Sequence, residues 1–316
     1  MTLEVVPARG FPEVAAGDDL AALAVRHLPG LRDGDVVVVT SKVVSKAAGL
    51  VVPGDRADLL DAETDRVVAA RGPLRIVRTH HGLVLAAGGI DRSNTAVGTA
   101  VPLPRDPDGD ARTIRRALHD ATGATVAVVV TDTAGRAWRE GQVDLAIGAA
   151  GLLPLLDLSG TTDPHGNDLQ VTAPAVADEV ASAADLVAGK LAGVPVVLVR
   201  GLDPALLTAD DGPGAAALVR AEDTDLFGLG AVDAVRAAVR RDGHRGFPVT
   251  GPGALESVLR DASEGTPVEL RAERDRVEVV PASTQVDALV EAGAVAERVR
   301  VLAAAHRLAV EVVVTT

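Results

Sequence analysis

Asp33-Gly34-Asp35-Val36-Val37-Val38-Val39-Thr40-Ser41-Lys42-Val43-Val44-Ser45-Lys46-Ala47-Ala48-Gly49 contains both a fold signal and a chemical one. Asp33-Gly34 is turn chemistry, and the unbroken β-branched run from Val36 to Thr40 predicts a strand buried on both faces. Directly behind it come two hydroxyls and two ammonium groups: Ser41, Lys42, Ser45 and Lys46. Sheets of the α/β type place ligands at such strand ends. Lysine suits phosphate as a mobile point charge, where arginine would impose a planar fork. A solvated turn would have the same composition.

Working outward, a strand is predicted over residues 3–7 and a helix over 18–28, apolar at helical spacing. After the central motif, the pattern predicts a helix from about Asp58 to Ala70. Strands follow near 74–79 and 83–87, with loops over 88–94 and 102–109. Asp110 is placed to cap a helix running to about Ala121. A strand over 125–131 ends in Asp132-Thr133, and the glycine-rich stretch 135–151 and residues 157–166 read as polar loops. An Ala-rich helix over 175–190 and a strand over 195–200 complete this region. Residues 203–214, with three Asp, two Pro and two Gly, read as a linker. From about residue 231 the pattern is helix, helix, two strands, a helix near 285–306 and a last strand over 308–314. Strands and helices do not alternate strictly, so the class is α+β as readily as regular α/β.

The 316 residues are 47% apolar but only 1% aromatic, with one Trp, three Phe and no Tyr. The core is therefore built from Leu, Val, Ala and Ile. A base-stacking nucleic-acid surface needs more rings, and a net charge of −13 opposes phosphate backbones. A local cation cluster still serves a small phosphorylated ligand. With no cysteine, disulfides, thiolate metal sites and Cys nucleophiles are excluded. The first fourteen residues lack a signal-peptide pattern, and no apolar run approaches the ~20 residues that span a bilayer. A cytoplasmic protein without a membrane or nucleic-acid partner is expected. Lysine occurs only at 42, 46 and 190 and asparagine only at 94 and 167, in a chain otherwise rich in Ala, Arg, Gly and Val. Each marks a position where the abundant substitutes do not serve.

Common phosphate fingerprints are missing. Gly189-Lys190 is followed by Leu191 and lacks the upstream glycine of a P-loop, and Gly228-Leu229-Gly230 reads as a helix-start turn. Asp91 and Asp132 each follow an apolar stretch and precede small polar residues, Ser93-Asn94 and Thr133. Mg²⁺ or Mn²⁺ in phosphoryl-transfer sites takes one or two carboxylates and completes its shell with phosphate and water. Taken singly, either Asp also suits a cap or turn. Arg136 and Arg139 flank the sole tryptophan, Trp138, offering guanidinium forks beside a flat ring, or an Arg stacked on an exposed Trp. His80-His81 before Gly82 is a candidate general acid or base.

Together these residues form an ordered series of strings from Leu3 to Gly201. They include Ser41–Gly49, His81-Gly82-Leu83, Ala87-Gly88-Gly89-Ile90-Asp91-Arg92-Ser93-Asn94 and Leu103-Pro104-Arg105-Asp106-Pro107. The series continues through Thr131-Asp132-Thr133, Gly135–Gly141, Ala146-Ile147-Gly148, Ala175-Val176-Ala177-Asp178-Glu179 and Val199-Arg200-Gly201. In this the chain closely resembles the coenzyme F420-0:L-glutamate ligase, or F420 gamma-glutamyl ligase, family. The resemblance implies a two-domain α+β fold with mixed sheets, assembled as an intertwined homodimer. It implies GTP as phosphoryl donor, Mg²⁺ or Mn²⁺, and stimulation by K⁺. At matching positions it implies Asp91 and Asp132 as metal ligands, with Thr133 at a second metal. Phe11, Pro12, Glu13, Val14, Ser41, Lys42, Lys46, Asn94, Gly189 and Lys190 would contact the nucleotide. Some members carry an acidic or amide metal ligand where this chain has Lys190, which puts a second metal in doubt.

The expected reaction joins L-glutamate to a deazaflavin coenzyme precursor through an acyl phosphate. Asp91, Asp132, Lys46, Arg136 and His81 are the expected catalytic residues, with Arg136, Trp138 and Arg139 at the substrate. A different metal–nucleotide phosphotransferase and a silent coenzyme- or nucleotide-binding homologue are the competing classes. The ligase domain is expected over 1–214. Residues 215–316 form an appendage without a flavin site: a structural cap, a dimerisation element or a shortened remnant of a nitroreductase-like domain.

Overall fold

The valine run behaves as its composition requires: Val36–Val39 are only 0–3% exposed, covered on both faces of the sheet. The computed structural model describes residues 2–222, 224–241, 246–247, 251 and 253–315. It divides into units Met1–Val219 and Arg220–Thr316. In the first, β1 (Glu4–Pro7) and α1 (Leu20–His27) lead to β2 (Val36–Thr40) and α2 (Ser41–Ala47). Next come β3 (Val52–Pro53), α3 (Arg56–Leu60), β4 (Thr64–Arg71), β5 (Leu74–Thr79), β6 (Val84–Ala86) and β7 (Thr99–Ala100). The unit continues with α4 (Pro107–Thr122), β8 (Ala127–Gly135), β9 (Gln142–Ala150), α5 (Val176–Ala188) and β10 (Val196–Arg200).

The main sheet has the order β1-β10-β2-β8-β9; only β2 and β8 run parallel. One face, carrying Val37, Val39, Val128 and Val130, packs on α1 and α4 through Leu20, Leu23, Ile114 and Leu118. The other, carrying Val36, Val38, Val129 and Val197, packs on α5 through Val176, Ala177, Val180 and Ala184. Small α5 side chains let this helix lie close to a sheet with no aromatic filler. Two antiparallel satellite sheets, β3-β7 and β4-β5-β6, flank this core. In the second, Val77 and Leu85 are buried, while Leu74, Ile76 and Val84 share the opposite face and are exposed. The class is α+β with mixed sheets.

Four expectations are corrected. The predicted helix 58–70 is α3 and then β4, because β4 pairs antiparallel with β5 across Gly72-Pro73. Hairpin pairing overrides the helical preference of its Ala and Arg. The polar loop 135–151 is mostly β9, whose ladder partner is β8. The cap of α4 is Asp106, which accepts from Gly109 N at 2.9 Å, with Pro107 in the first turn; Asp110 lies inside the helix. Residues 203–214 are not a free linker. Asp211 pairs with Arg115 at 2.8 Å and accepts from Gly151 N at 2.9 Å through its main-chain oxygen.

The second unit contains α6 (Ala231–Arg240), α7 (Ala254–Ser263), β11 (Glu269–Glu273), β12 (Arg276–Val280), α8 (Val286–Ala305) and β13 (Glu311–Val314). β11 and β12 form a hairpin, and β13 adds parallel to β12. Val258, Ala262, Val277, Val279, Val295 and Val299 make its core. No helix among the described residues is long and apolar enough to cross a membrane.

Candidate functional site

The carboxyl end of β2 lies between the start of β10, where Thr40 N donates to Pro195 O at 2.9 Å, and the middle of β8, where Thr40 is level with Thr131. Around them lies a cavity of about 330 Å³. Its walls include Phe11–Val14, Ser41, Lys42, Lys46, Asp91, Asn94, Thr131–Thr133, Asp144, Asp185, Gly189 and Lys190. Every residue expected at the nucleotide or metal is therefore brought to one space.

Alternation along β8 divides the site. Asp132 continues the face of Val128 and Val130, while Thr131 and Thr133 continue the face of Val129, toward α5. On the first side, Ser41 Oγ donates to Asp132 Oδ1 at 3.0 Å. Burial pushes the Asp132 carboxyl up to about 7; the charges of Asp144 and Asp91 act in the same direction, and the Ser41 bond opposes them. Lys42 Nζ sits 2.6 Å from Asp91 Oδ2 and donates to Ser93 Oγ at 2.9 Å. Burial raises Asp91 too, but the Lys42 and Ser93 bonds outweigh it and hold this carboxyl below its usual range. Lys46, almost fully buried, ion-pairs with Glu13 and donates to Asn94 O at 2.6 Å.

On the α5 side, Asp144 accepts from Thr133 Oγ1 at 2.7 Å and Thr131 Oγ1 at 3.0 Å. Asp185 lies near it, raised by burial and by the Asp144 charge and lowered by Lys190. Helix α5 ends at Gly189, whose φ of +59° suits only glycine comfortably, and the chain turns there to bring Lys190 to the cavity rim.

This donor set fits a divalent cation shared with a ligand. A buried carboxyl near 7, flanked by two further acids, is a concentration of negative charge that a cation relieves. Among the described residues no three His, Cys, Asp or Glu side chains converge as a complete metal cage. Asp91 and Asp132 would thus supply part of one shell that phosphate and water complete, the usual arrangement for Mg²⁺, and the Thr133 hydroxyl, on the opposite face of β8, would face a second ion.

Other expected residues lie off the cavity wall. Arg136, Trp138 and Arg139 occupy the turn between β8 and β9, where Arg136 Nη2 donates to Glu140 O at 3.3 Å and Trp138 is 90% exposed. His81 belongs to the β5–β6 turn; its Nε2 lies 3.3 Å from Arg105 O, and its buried Nδ1 has no hydrogen-bond partner. Conversely, Thr131, Asp144, Asp185 and residues 193–195 line the cavity without having been anticipated. Asp144 was legible: Val143, Leu145 and Ile147 alternate with it at strand period.

The sequence profile of the family described as F420-0:Gamma-glutamyl ligase matches residues 10–58 and 52–201. A protein named Coenzyme F420:L-glutamate ligase from Methanothermobacter thermautotrophicus is 39% identical over 252 residues, 72% of this chain and 99% of that relative. Its namesake from Methanopyrus kandleri is 36% identical over 247 residues, covering 72% and 98%. That from Halobacterium salinarum is 40% identical over 242 residues, covering 68% and 92%. Matched across the whole core that builds the cavity, the chain belongs to the F420-0:gamma-glutamyl ligase family.

Proposed function

We propose that the chain ligates L-glutamate to coenzyme F420-0 in coenzyme F420 biosynthesis, with GTP as the phosphoryl donor. The observation that carries this reading is the meeting of two acids and two lysines from separate segments in one cavity. Lys42, Lys46, Asp91 and Asp132 all line it, in a chain of the ligase family.

A carboxylate must be activated before an amine attacks it. A carboxylate oxygen of the acceptor bonds the γ-phosphorus while the bridging P–O bond to GDP breaks, giving an acyl phosphate. Glutamate's amine then forms the C–N bond, the C–O bond to phosphate breaks, and the amine proton passes to a base. Asp91 and Asp132 would hold Mg²⁺ or Mn²⁺, whose charge would offset that of the transferring group. Lys42 and Lys46 orient the phosphates; to do so, Lys46 exchanges its Glu13 partner for phosphate oxygen. Arg136, Trp138 and Arg139 would grip the acceptor from the hairpin tip, and His81, on the β5–β6 turn, is the candidate for the base, which the sequence does not identify. Lys190 would neutralise a phosphate oxygen at the position where some members carry a metal ligand, and K⁺ would stimulate the reaction. The exposed face of Leu74, Ile76 and Val84 is an apolar surface of the kind a homodimer buries.

Product analysis after mixing the chain with GTP, Mn²⁺, glutamate and F420-0 tests this. Glutamylated product with GDP is expected, and Asp132→Asn removes turnover while keeping the fold. GDP release without glutamylation would point to a phosphotransferase, and tight binding without GDP to a silent homologue; either sinks the ligase reading.

A further inference from the structure

We infer that Asp144 is a positioning residue that fixes the polarity of the Thr133 hydroxyl, so that its oxygen lone pairs, and not its proton, face the ligand space. The inference rests on the metal–nucleotide reading of the cavity and deepens it.

The strand ladder sets up the contact. Asp144 on β9 stands directly across from Thr133 on β8, so both side chains leave the sheet on the same face. Asp144 is 7% exposed, and its two oxygens take separate hydroxyls: Oδ1 from Thr133 at 2.7 Å and Oδ2 from Thr131 at 3.0 Å. The strand is pinned behind it, because Ser182 Oγ on α5 donates to the Asp144 main-chain oxygen at 3.0 Å. All three residues of the cluster line the cavity.

A threonine hydroxyl carries one proton and two lone pairs. Once the proton is committed to Asp144, the oxygen presents only acceptor density elsewhere. A hydroxyl left to rotate would spend part of its time with the proton toward a cation, repelling it. Asp144 thus acts through the Thr133 hydroxyl, both of its oxygens being taken up by threonine protons. An asparagine would break this logic at nearly constant shape. Its amide has one accepting and one donating end, so one of the two threonines must accept and turn its proton into the cavity.

The test is Mn²⁺ binding to the full chain in the presence of GDP, followed by electron paramagnetic resonance, beside the thermal midpoint of each variant. Asp144→Asn is expected to weaken Mn²⁺ by about 10–100-fold, the range for an outer partner of a metal ligand, and Thr133→Val, which removes the ligand itself, by at least as much. The double variant is expected to bind no more weakly than Thr133→Val alone, since Asp144 acts through that hydroxyl. Thr131→Val keeps near wild-type affinity. Additive losses, or wild-type affinity in Asp144→Asn, overturn the inference and leave the metal reading standing. A wild type that binds no Mn²⁺ overturns both. Should the Asn variant not fold, nuclear magnetic resonance of the wild type decides: a slowly exchanging Thr133 hydroxyl proton supports the assignment and a freely exchanging one overturns it.

Discussion

Asp132 is held in a setting that works against its own charge. Burial and two neighbouring acids push its carboxyl up to about 7, so the folded chain takes up a proton there that the unfolded chain, near 3.8, has already released. The contribution to stability is therefore complete below pH ~4 and is lost as pH rises through ~7. Without metal, urea unfolding followed from pH 4 to 8 is expected to show falling stability across that window. Asp132→Asn should flatten the slope and be the more stable protein near neutrality, while Mn²⁺ restores the wild type. An unchanged slope in the variant would remove Asp132 from this role. At the same scale, scarce residues prove a partial guide. Lys42, Lys46 and Lys190 all reach the cavity. Asn94 does too, yet its φ of +51° supplies a backbone reason for asparagine before any ligand does.

Among the elements, β9 carries the most information that composition concealed. It supplies Asp144 to the cavity, and it packs so closely on the start of α4 that a Cβ on Gly148 would lie 2.2 Å from Pro107 O. Backbone atoms cannot yield as a flexible side chain does. Gly148→Ala is expected to destabilise the fold by about 1–3 kcal/mol, as overpacked sites do, measured by denaturant midpoint. The elements that were legible are those whose signal is local. β2 follows from its valines, α5 from its Ala-rich run, and the α-α-β-β-α-β order of the second unit from clean periodicity. The segments misread, β4 and β9, owe their form to hairpin pairing with the neighbouring strands β5 and β8 rather than to their own composition. Gly-, Ala- and Arg-rich strands have weak intrinsic preference, and pairing decides them. Most of the cavity wall was legible because its expected residues sit in polar strings directly behind apolar runs, whereas Asp144 lies in a stretch read as a loop and Asp185 in the last turn of an Ala-rich helix.

For the whole molecule, a net charge of −13 is set against a local group of three lysines. Remote charge repels a polyphosphate, so capture depends on those few cations at short range, where screening is least. The family match ends at residue 201, and the second unit has its own core. The proposed dimer would form through the apolar face of the first unit, not through the second. Ile76→Arg on the exposed face of the satellite sheet is expected to yield monomers in sedimentation equilibrium; a dimer unmoved by the change would shift the interface elsewhere.

The hairpin tip has one practical consequence. Because the sole indole stands 90% in water at the turn between β8 and β9, its emission starts red and has little further to travel when the core melts. Intrinsic fluorescence would leave loss of the valine core nearly silent, while any molecule settling over that turn would shift the spectrum toward the blue. Nature has placed a single optical probe at the mouth of the hairpin, and a titration that leaves its colour unchanged would mean nothing docks there.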